Sequence, residues 1–345
     1  LIAPKTTLGK KLGAGHFGEV YLANDPVHGE VAVKVIELDT SKPPAKWDEQ
    51  KDRFLKEAQN LAKAMHRNIV RVFHLEEADG GNSVRICMEL CRGGSLQGAY
   101  ESGPMNLLRV RDIGSQVLLG LGALHAREML HRDLKPGNIL VDEHGKIKIG
   151  DFGLVTDDLI LGYADVGGYI YVDHLAYEVW HGDGTSEKSD VWAFGMTMFR
   201  LLHGHDWYER APKPRGEIVN GGFADTLEWL PHIPKRWRRV IREMLRDDTA
   251  TRLQNVSAVQ AKFASLPVAP AWDCKVATDR VVWERLSKGR RIVVEWLQHS
   301  ATRHEWSARS EPTTTGRTRR LAGSTGVIGR RLASKQLEDF FAGSS

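Results

Sequence analysis

Residues 29–38, GEVAVKVIEL, place apolar side chains at nearly every second position, the period of a β-strand. Just upstream, LGKKLGAGHFGEVYLAN (8–24) reads as strand, glycine turn and strand, and NIVRVFHL (68–75) and SVRICMEL (83–90) predict two further strands. Pro43-Pro44 stops the third strand. From Lys46 to Met65 the period changes: Phe54, Ala58, Leu61 and Met65 fall on one helical face, and Asp48 and Glu49 lie near the N-terminus, where they suit the helix dipole. From Leu107 onward helical spacing dominates, in 110–126, 189–204, 234–245 and 256–266. Pro267 and Pro270 mark a linker. Beyond it RVVWERL (280–286) and RRIVVEWLQ (290–298) predict a hairpin, 310–326 reads as loop from its Thr, Gly, Ser and Arg, and SKQLEDFF (334–341) closes the chain as a short helix.

A chain of 345 residues, 41% hydrophobic and 27% charged, has the makings of a folded protein with one large domain and an appendage. The net charge of +4 is unevenly spread: residues 266–345 carry 14 Lys/Arg against 8 Asp/Glu, while the rest carries 34 against 36. Only the tail is basic. Three cysteines, Cys87, Cys91 and Cys274, are too few for a disulfide framework, and no His or third Cys stands at ligand spacing from the first two, so structural thiols are expected. No apolar run reaches the roughly 20 residues that span a bilayer, and no signal peptide opens the chain. The expectation is a cytoplasmic protein without a membrane segment.

GAGHFG (13–18) is a G-x-G-x-x-G, but 34 glycines make such a triplet an unremarkable coincidence, and it sits between two strands rather than before a helix. The odds change with HRDLKPGN (131–138), which fixes His, Arg, Asp and a downstream Asn, with DFG (151–153) and with VAVK (31–34). In this order and spacing the motifs resemble the eukaryotic-type serine/threonine protein kinase family over about residues 8–266. The resemblance implies an α+β, bilobal protein-kinase-like fold, with a β-rich N-lobe over 1–90 and a mostly helical C-lobe over 91–266. A linker at 267–271 and a small basic α/β appendage of unknown role at 272–345 complete the expected layout.

The resemblance also implies roles. Leu12, Gly13, Ala14, Gly15, His16, Phe17 and Gly18 would form the loop over the phosphates of ATP, glycines being needed where backbone N–H groups approach a phosphate closely. Lys34 would contact the α- and β-phosphates and pair with Glu57. Val20, Ala32 and Leu140 would sandwich the adenine, with Met88 as gatekeeper and Glu89 to Cys91 as hinge. Asp133 would accept the proton of the substrate hydroxyl, Lys135 would touch the γ-phosphate, and Asn138 and Asp151 would ligate Mg²⁺. Lys135 resembles the serine/threonine class. Leu61, Val72, His131 and Phe152 would stack through the lobes, anchored by Asp190.

The stretch VGGYIYVDHLAYEVW (166–180) departs from the family pattern, since Ala176-Tyr177-Glu178 has Tyr where the family has Pro. Glu178 is expected to pair with Arg252, and the aromatics to form either a substrate-docking surface or packing against the helical lobe. The usual P+1 threonine position falls on Tyr171 or Gly168, and 154–177 holds a single Ser/Thr, Thr156. Acidic Asp157, Asp158, Asp165 and Asp173 are expected to face Arg132 in place of a phosphate.

In the tail, Arg317, Arg319, Arg320, Arg330 and Arg331 surround GVIG (326–329); a partner-binding or autoregulatory role is favoured over nucleic acid. His203 and His205, read as a loop H-x-H, and His174 and His181 lack a third ligand at metal spacing. Two rival functions remain beside an active protein kinase. A kinase-like small-molecule phosphotransferase is opposed by Lys135 and Glu178, and a pseudokinase scaffold is opposed by the presence of Lys34, Asp133, Asn138 and Asp151.

Overall fold

The computed structural model describes residues 6–15, 18–37, 65–151, 173–210 and 214–343. The expected helix at 46–65, Met65 apart, and residues 166–172 of the aromatic stretch lie outside them. The chain divides into two units, 1–96 with 116–165 and 97–115 with 166–345.

The first unit holds a five-stranded antiparallel sheet, β1 Thr7–Gly15, β2 Gly18–Asp25, β3 Gly29–Glu37, β4 Val72–Ala78 and β5 Ser83–Met88, in the order β1-β2-β3-β5-β4. The alternation in GEVAVKVIE is its central feature. Val31, Val33 and Val35 join Ala23 and Cys87 in one apolar cluster, while Ile36 joins Val84 and Ile86 in another. Gly18 has φ +133°, and a Cβ there would lie 2.0 Å from the Val35 carbonyl oxygen, so the glycine is required by the approach of β3.

The strand expected at 68–75 is split. Its first residues leave the sheet: Val70 N–H donates to Ile149 O at 2.9 Å, and Ile149 N–H to Asn68 O at 2.9 Å. Ile149 ends β7 (Ile147–Ile149), which pairs with β6 (Ile139–Val141), two three-residue strands too short for a periodic signal. β4 therefore begins only at Val72. Met65, expected on an apolar helical face, stands outside any element and is exposed.

Helices α1 (Leu96–Glu101) and α2 (Leu107–His125) follow; α2 passes from the second unit to the first at residue 116. The second unit continues with α3 (Tyr177–Trp180), α4 (Glu187–Tyr208), α5 (Pro214–Asn220), α6 (Phe223–Thr226), α7 (Lys235–Met244) and α8 (Val256–Phe263). α4 starts on a reciprocal Ser186–Ser189 capping box and is buried along most of its length. It kinks at Gly204, where a Cβ would meet the Gly103 backbone at 2.5 Å, and then runs on to Tyr208. His203 and His205 are therefore helical, not in a loop.

The tail is a second five-stranded sheet of consecutive antiparallel strands: β8 (Asp273–Ala277), β9 (Arg280–Ser287), β10 (Arg290–Gln298), β11 (His304–Pro312) and β12 (Arg319–Gly323). Lys288 and Gly289, both at positive φ, make the two-residue turn between β9 and β10. The expectation of loop at 310–326 fails in part, because β12 occupies its middle. β11 also takes residues 310–312, and β12, a five-residue edge strand of sequence RRLAG, carries no alternation to mark it.

Helix α9 (Arg330–Gly343) lays Ala333, Leu337 and Phe341 against the sheet, with the Phe341 ring 5.2 Å from Trp272 and 5.1 Å from Trp283. The appendage is seated on the helices of its own unit. Trp283 Nε1 donates to His232 Nδ1 at 2.9 Å, Arg238 meets Glu338 at 2.5 Å, and Trp207 and Trp296 stand 6.3 Å apart. Among the described residues, no helix is long and apolar enough to cross a membrane.

Candidate active site

The expected catalytic residues cluster within the first unit. Lys34, on the central strand β3, is 1% exposed, and its Nζ stands 2.9 Å from Asp151 Oδ1. Its ammonium is buried beside a carboxylate, which offsets the cost of removing it from water. Asp133 lies in the turn before a single helical turn at Pro136–Asn138. Both oxygens of its carboxylate are held: Lys135 Nζ donates to Oδ1 at 2.9 Å, and Asn138 Nδ2 to Oδ2 at 2.8 Å and to the Asp133 carbonyl at 2.7 Å. The contact between Asp133 and Lys135 is direct, so no bridging hydroxyl from the substrate-binding segment is needed to join them. His131 is fully buried, and its Nδ1 accepts the Asp133 N–H at 3.3 Å.

Two residues of the site hold left-handed backbone, Arg132 at φ +67° and Asp151 at φ +55°. Non-glycine residues held there cost on the order of 1 kcal/mol or more, and such strain collects where side-chain direction matters more than stability.

The donor set suits a hard divalent cation. The Asn138 amide nitrogen is committed to Asp133, which leaves its oxygen as the remaining ligand atom. The Asp151 side chain, about one-third exposed (35%), has one oxygen on Lys34 and a second beyond it. Carboxylate and amide oxygens are the ligands magnesium takes.

The expected adenine-site residues fall on neighbouring strands: Val20 opposite Lys34, and Ala32 opposite Met88. Ala32 is buried, and Val20, Met88 and Leu140 are half-buried. In the expected hinge, Glu89 N–H donates to the Arg71 carbonyl at 2.9 Å, and the Glu89 carboxylate meets Lys148 at 2.9 Å. The Cys91 carbonyl accepts from Gly94 N–H. Burial, with Glu89 beside it, pushes the Cys91 thiol up to about 12, so it is a protonated wall rather than a nucleophile. In the glycine turn Leu12 is exposed, Gly13 has open space around it, and Ala14 and Gly15 end β1 opposite Glu19 and Gly18. His16, Phe17, Glu57, Leu61 and Phe152 lie outside the described residues, as do Thr156, Asp157, Asp158, Asp165, Gly168 and Tyr171.

With that geometry in place, comparison with known proteins decides the family. A model described as protein kinase domain matches residues 6–264. The chain belongs to the protein kinase family. Among curated relatives, this kinase-family chain is 29% identical over 257 residues to the serine/threonine-protein kinase PrkC of Bacillus subtilis, covering 72% of this chain and 38% of that protein. It is 34% identical over 213 residues to CBL-interacting protein kinase 19 of Oryza sativa, covering 59% and 40%. It is also 32% identical over 203 residues to the tyrosine-protein kinase JAK1 of Danio rerio, covering 56% and 17%. The matched stretch is thus about two fifths or less of each of these relatives' length.

In the second unit the expected pair forms. Arg252 donates from two nitrogens to the two oxygens of Glu178, at 2.6 and 2.7 Å, with the Arg side chain fully buried (0% exposed). The guanidinium also donates to the carbonyls of Arg246, Asp247 and Lys188 and lies over the Trp192 ring. Tyr177 and Trp180 are half-buried, and Tyr177 stacks on His181 at 4.1 Å.

One expectation is overturned. Asp173 was to face Arg132 with the other acidic residues of its segment. Instead its carboxylate is buried against Arg200 at 3.4 Å and accepts from Tyr208 OH at 2.5 Å, with the Arg200 guanidinium 4.5 Å from the Tyr100 ring. The reason is solvation: a carboxylate at 6% exposure needs a cation and a donor at contact, and α4 supplies both. No sequence motif marked Arg200 and Tyr208, although their spacing of eight puts them near one helical face.

Two further histidines, His203 and His232, are structural. His203 is fully buried, its Nδ1 on the Phe199 carbonyl and its Nε2 accepting Leu230 N–H, so both nitrogens are used. Burial pushes it down to about 3, and His232 likewise.

Proposed function

We propose that the chain is an ATP-dependent serine/threonine protein kinase whose catalytic group is Asp133. The carrying observation is the double hold on the Asp133 carboxylate by Lys135 and Asn138. A carboxylate fixed at both oxygens is aimed, and phosphoryl transfer asks for aim and charge neutralisation more than for basicity.

In this reading Asp133 orients an acceptor hydroxyl and takes its proton. Lys135 serves the γ-phosphate side of the same carboxylate. Lys34 steadies the α- and β-phosphates, and Val20, Ala32, Met88 and Leu140 wall the adenine. Asn138 and Asp151 are the oxygen donors for Mg²⁺, which when bound neutralises charge on the phosphates. The Lys135 position supports serine/threonine specificity, as does the likeness to the serine/threonine-protein kinase PrkC of Bacillus subtilis. The segment after Asp151 would dock protein substrate near 166–180, and 272–345 would carry a partner or autoregulatory contact. With the three thiols free, a reducing cytoplasmic setting fits.

Nucleic acid is the less favoured partner for the tail, three of whose 14 Lys/Arg are paired within it. Arg280 and Arg309 flank Glu295, and Arg309 and Arg291 flank Glu311.

Incubation of the full chain with γ-labelled ATP, Mg²⁺ and a generic protein acceptor tests the reading, beside Asp133→Asn. Label on phosphoserine or phosphothreonine, lost in the variant, is the expected result. Label on phosphotyrosine alone, or only on a small metabolite, contradicts it.

A further inference from the structure

Three metal-ligating side chains that no motif connected meet in the first sheet. Asp25 ends β2, His74 lies on β4 and Cys87 on β5, and one ligand atom from each lies within 4.8 Å of the other two. The meeting depends on an irregularity. Between Val72 and His74 the β4–β5 register shifts, which accommodates Phe73 and sets His74 opposite Cys87.

The site is built rather than fortuitous. Asp25 is 1% exposed and Cys87 0%. Asp25 Oδ1 is committed to the N–H groups of Val27 and His28, at 2.9 and 2.8 Å, which orients the carboxylate and leaves Oδ2 pointing at His74. Oδ2 and His74 Nε2 are both buried without a hydrogen-bond partner, and their separation of 3.5 Å is longer than a hydrogen bond between them would be. These two buried ligand atoms meet only each other, at the 3.5 Å distance of an ion pair when the imidazole is protonated, and with a thiol beside them they form a donor set that a cation would complete.

We propose that Asp25, His74 and Cys87 form a binding site for a divalent transition metal of the zinc class, separate in residues and chemistry from the magnesium ligands Asn138 and Asp151. Mixed O, N and S donors select zinc over magnesium, which takes oxygen alone. The charge balances: a dication is neutralised by one carboxylate and one thiolate, with a neutral imidazole as third ligand. On binding, the Cys87 S–H bond breaks and its proton leaves to solvent as the metal–sulfur bond forms. Without a metal the thiol keeps that proton, because burial and the neighbouring Asp25 and Glu76 push it up to about 12. Tetrahedral ligation brings donor atoms to about 3.5 Å of one another, so the three side chains need close by only about 1 Å. The His74 ring, 26% exposed as a side chain, is the part of the site nearest solvent. Such a metal would pin the end of β2 to β4 and β5 on the sheet face where Val31, Val33 and Val35 lie, whereas Lys34 alternates to the other.

Cobalt titration of the full chain tests this, after chelator treatment and dialysis, in a Cys91→Ser, Cys274→Ser background. Expected is about one equivalent of Co²⁺ giving a thiolate-to-cobalt charge-transfer band, displaced by Zn²⁺, with about one zinc per chain retained through gel filtration. The magnesium ligands contain no sulfur and cannot produce the band. Cys87→Ser should abolish it, and His74→Gln and Asp25→Asn should each weaken binding at least about tenfold. Asp25→Asn keeps the turn acceptor, so it remains informative if Cys87→Ser fails to fold. A folded parent protein with no sulfur band and no retained zinc overturns the proposal. So does a band unmoved by His74→Gln and Asp25→Asn.

Discussion

Two charged clusters in this protein use nearly the same groups and reach opposite ends. Around Asp133, a lysine and an amide grip a carboxylate in a turn with part of the cluster open to solvent, the Lys135 side chain being 28% exposed. Around Glu178, an arginine fork grips a carboxylate with both members buried, and three backbone carbonyls take up the remaining guanidinium donors. The first leaves lone pairs and protons for a ligand to use. The second leaves none for a visitor, and its geometry ties the segment ending at Glu178 to the loop before α8. Lysine suits the first, as a mobile point charge that can turn to a phosphate, and arginine the second, as a rigid fork. Saturation separates scaffold from chemistry here, more than residue type does.

That contrast can be broken from either side. The largest effect belongs to Asp133→Ala, which removes the group proposed to aim the acceptor. Phosphotransfer kcat should fall by about 10²–10⁴-fold with nucleotide affinity little changed, as measured by steady-state kinetics and calorimetry. Next, Arg252→Ala strands the buried Glu178 carboxylate. Denaturant unfolding should show a loss of about 3–5 kcal/mol, while a neutral pair, Arg252→Met with Glu178→Leu, should recover part of it. Equal loss in the double variant would mean that the carbonyl contacts of Arg252, rather than the ion pair, carry the stability.

A smaller effect is set by pH. His203 and His232 titrate near 3 when folded and near 6.5 when unfolded, so the unfolded chain takes up their protons first. Above pH 6.5 both states are neutral and the rings contribute no pH dependence. As pH falls from about 6.5 toward 3, each ring should remove stability at up to about 1.4 kcal/mol per pH unit. Unfolding titrations between pH 7 and pH 5 (about the range before general acid unfolding) should show a steeper slope in the parent than in His232→Gln. Least is expected of Glu338→Gln, which breaks the half-exposed pair with Arg238 and should cost about 1 kcal/mol or less.

The same distinction explains what could be read in advance. The first sheet, α2, α7, α8 and the β9–β10 hairpin were legible because each buries a periodic apolar face, and period is a local property of sequence, whereas α4 was legible as a long apolar run that is buried on all sides. That Asp133, Lys135 and Asn138 would meet was legible because one short loop carries all three, and Lys34 and Asp151 were marked by the motifs around them. The Glu178–Arg252 pair followed from the family pattern. Asp173 was misplaced for lack of such a rule: four carboxylates in one segment look alike on paper, and only burial against Arg200 and Tyr208 tells one from the rest. Asp25, His74 and Cys87 escaped notice for a related reason. Their convergence depends on a strand register shifted by one residue, and no spacing along the chain encodes it. β12 was lost to its shortness and lack of alternation, since an exposed edge strand needs no apolar face.

Calorimetry of an adenine nucleotide with and without Mg²⁺, on the parent protein and on Asp151→Asn, tests the central claim most directly. Tighter binding with Mg²⁺ in the parent, and no such gain in the variant, is the predicted result. A parent protein that binds no nucleotide, or a variant that keeps the full magnesium effect, would contradict it.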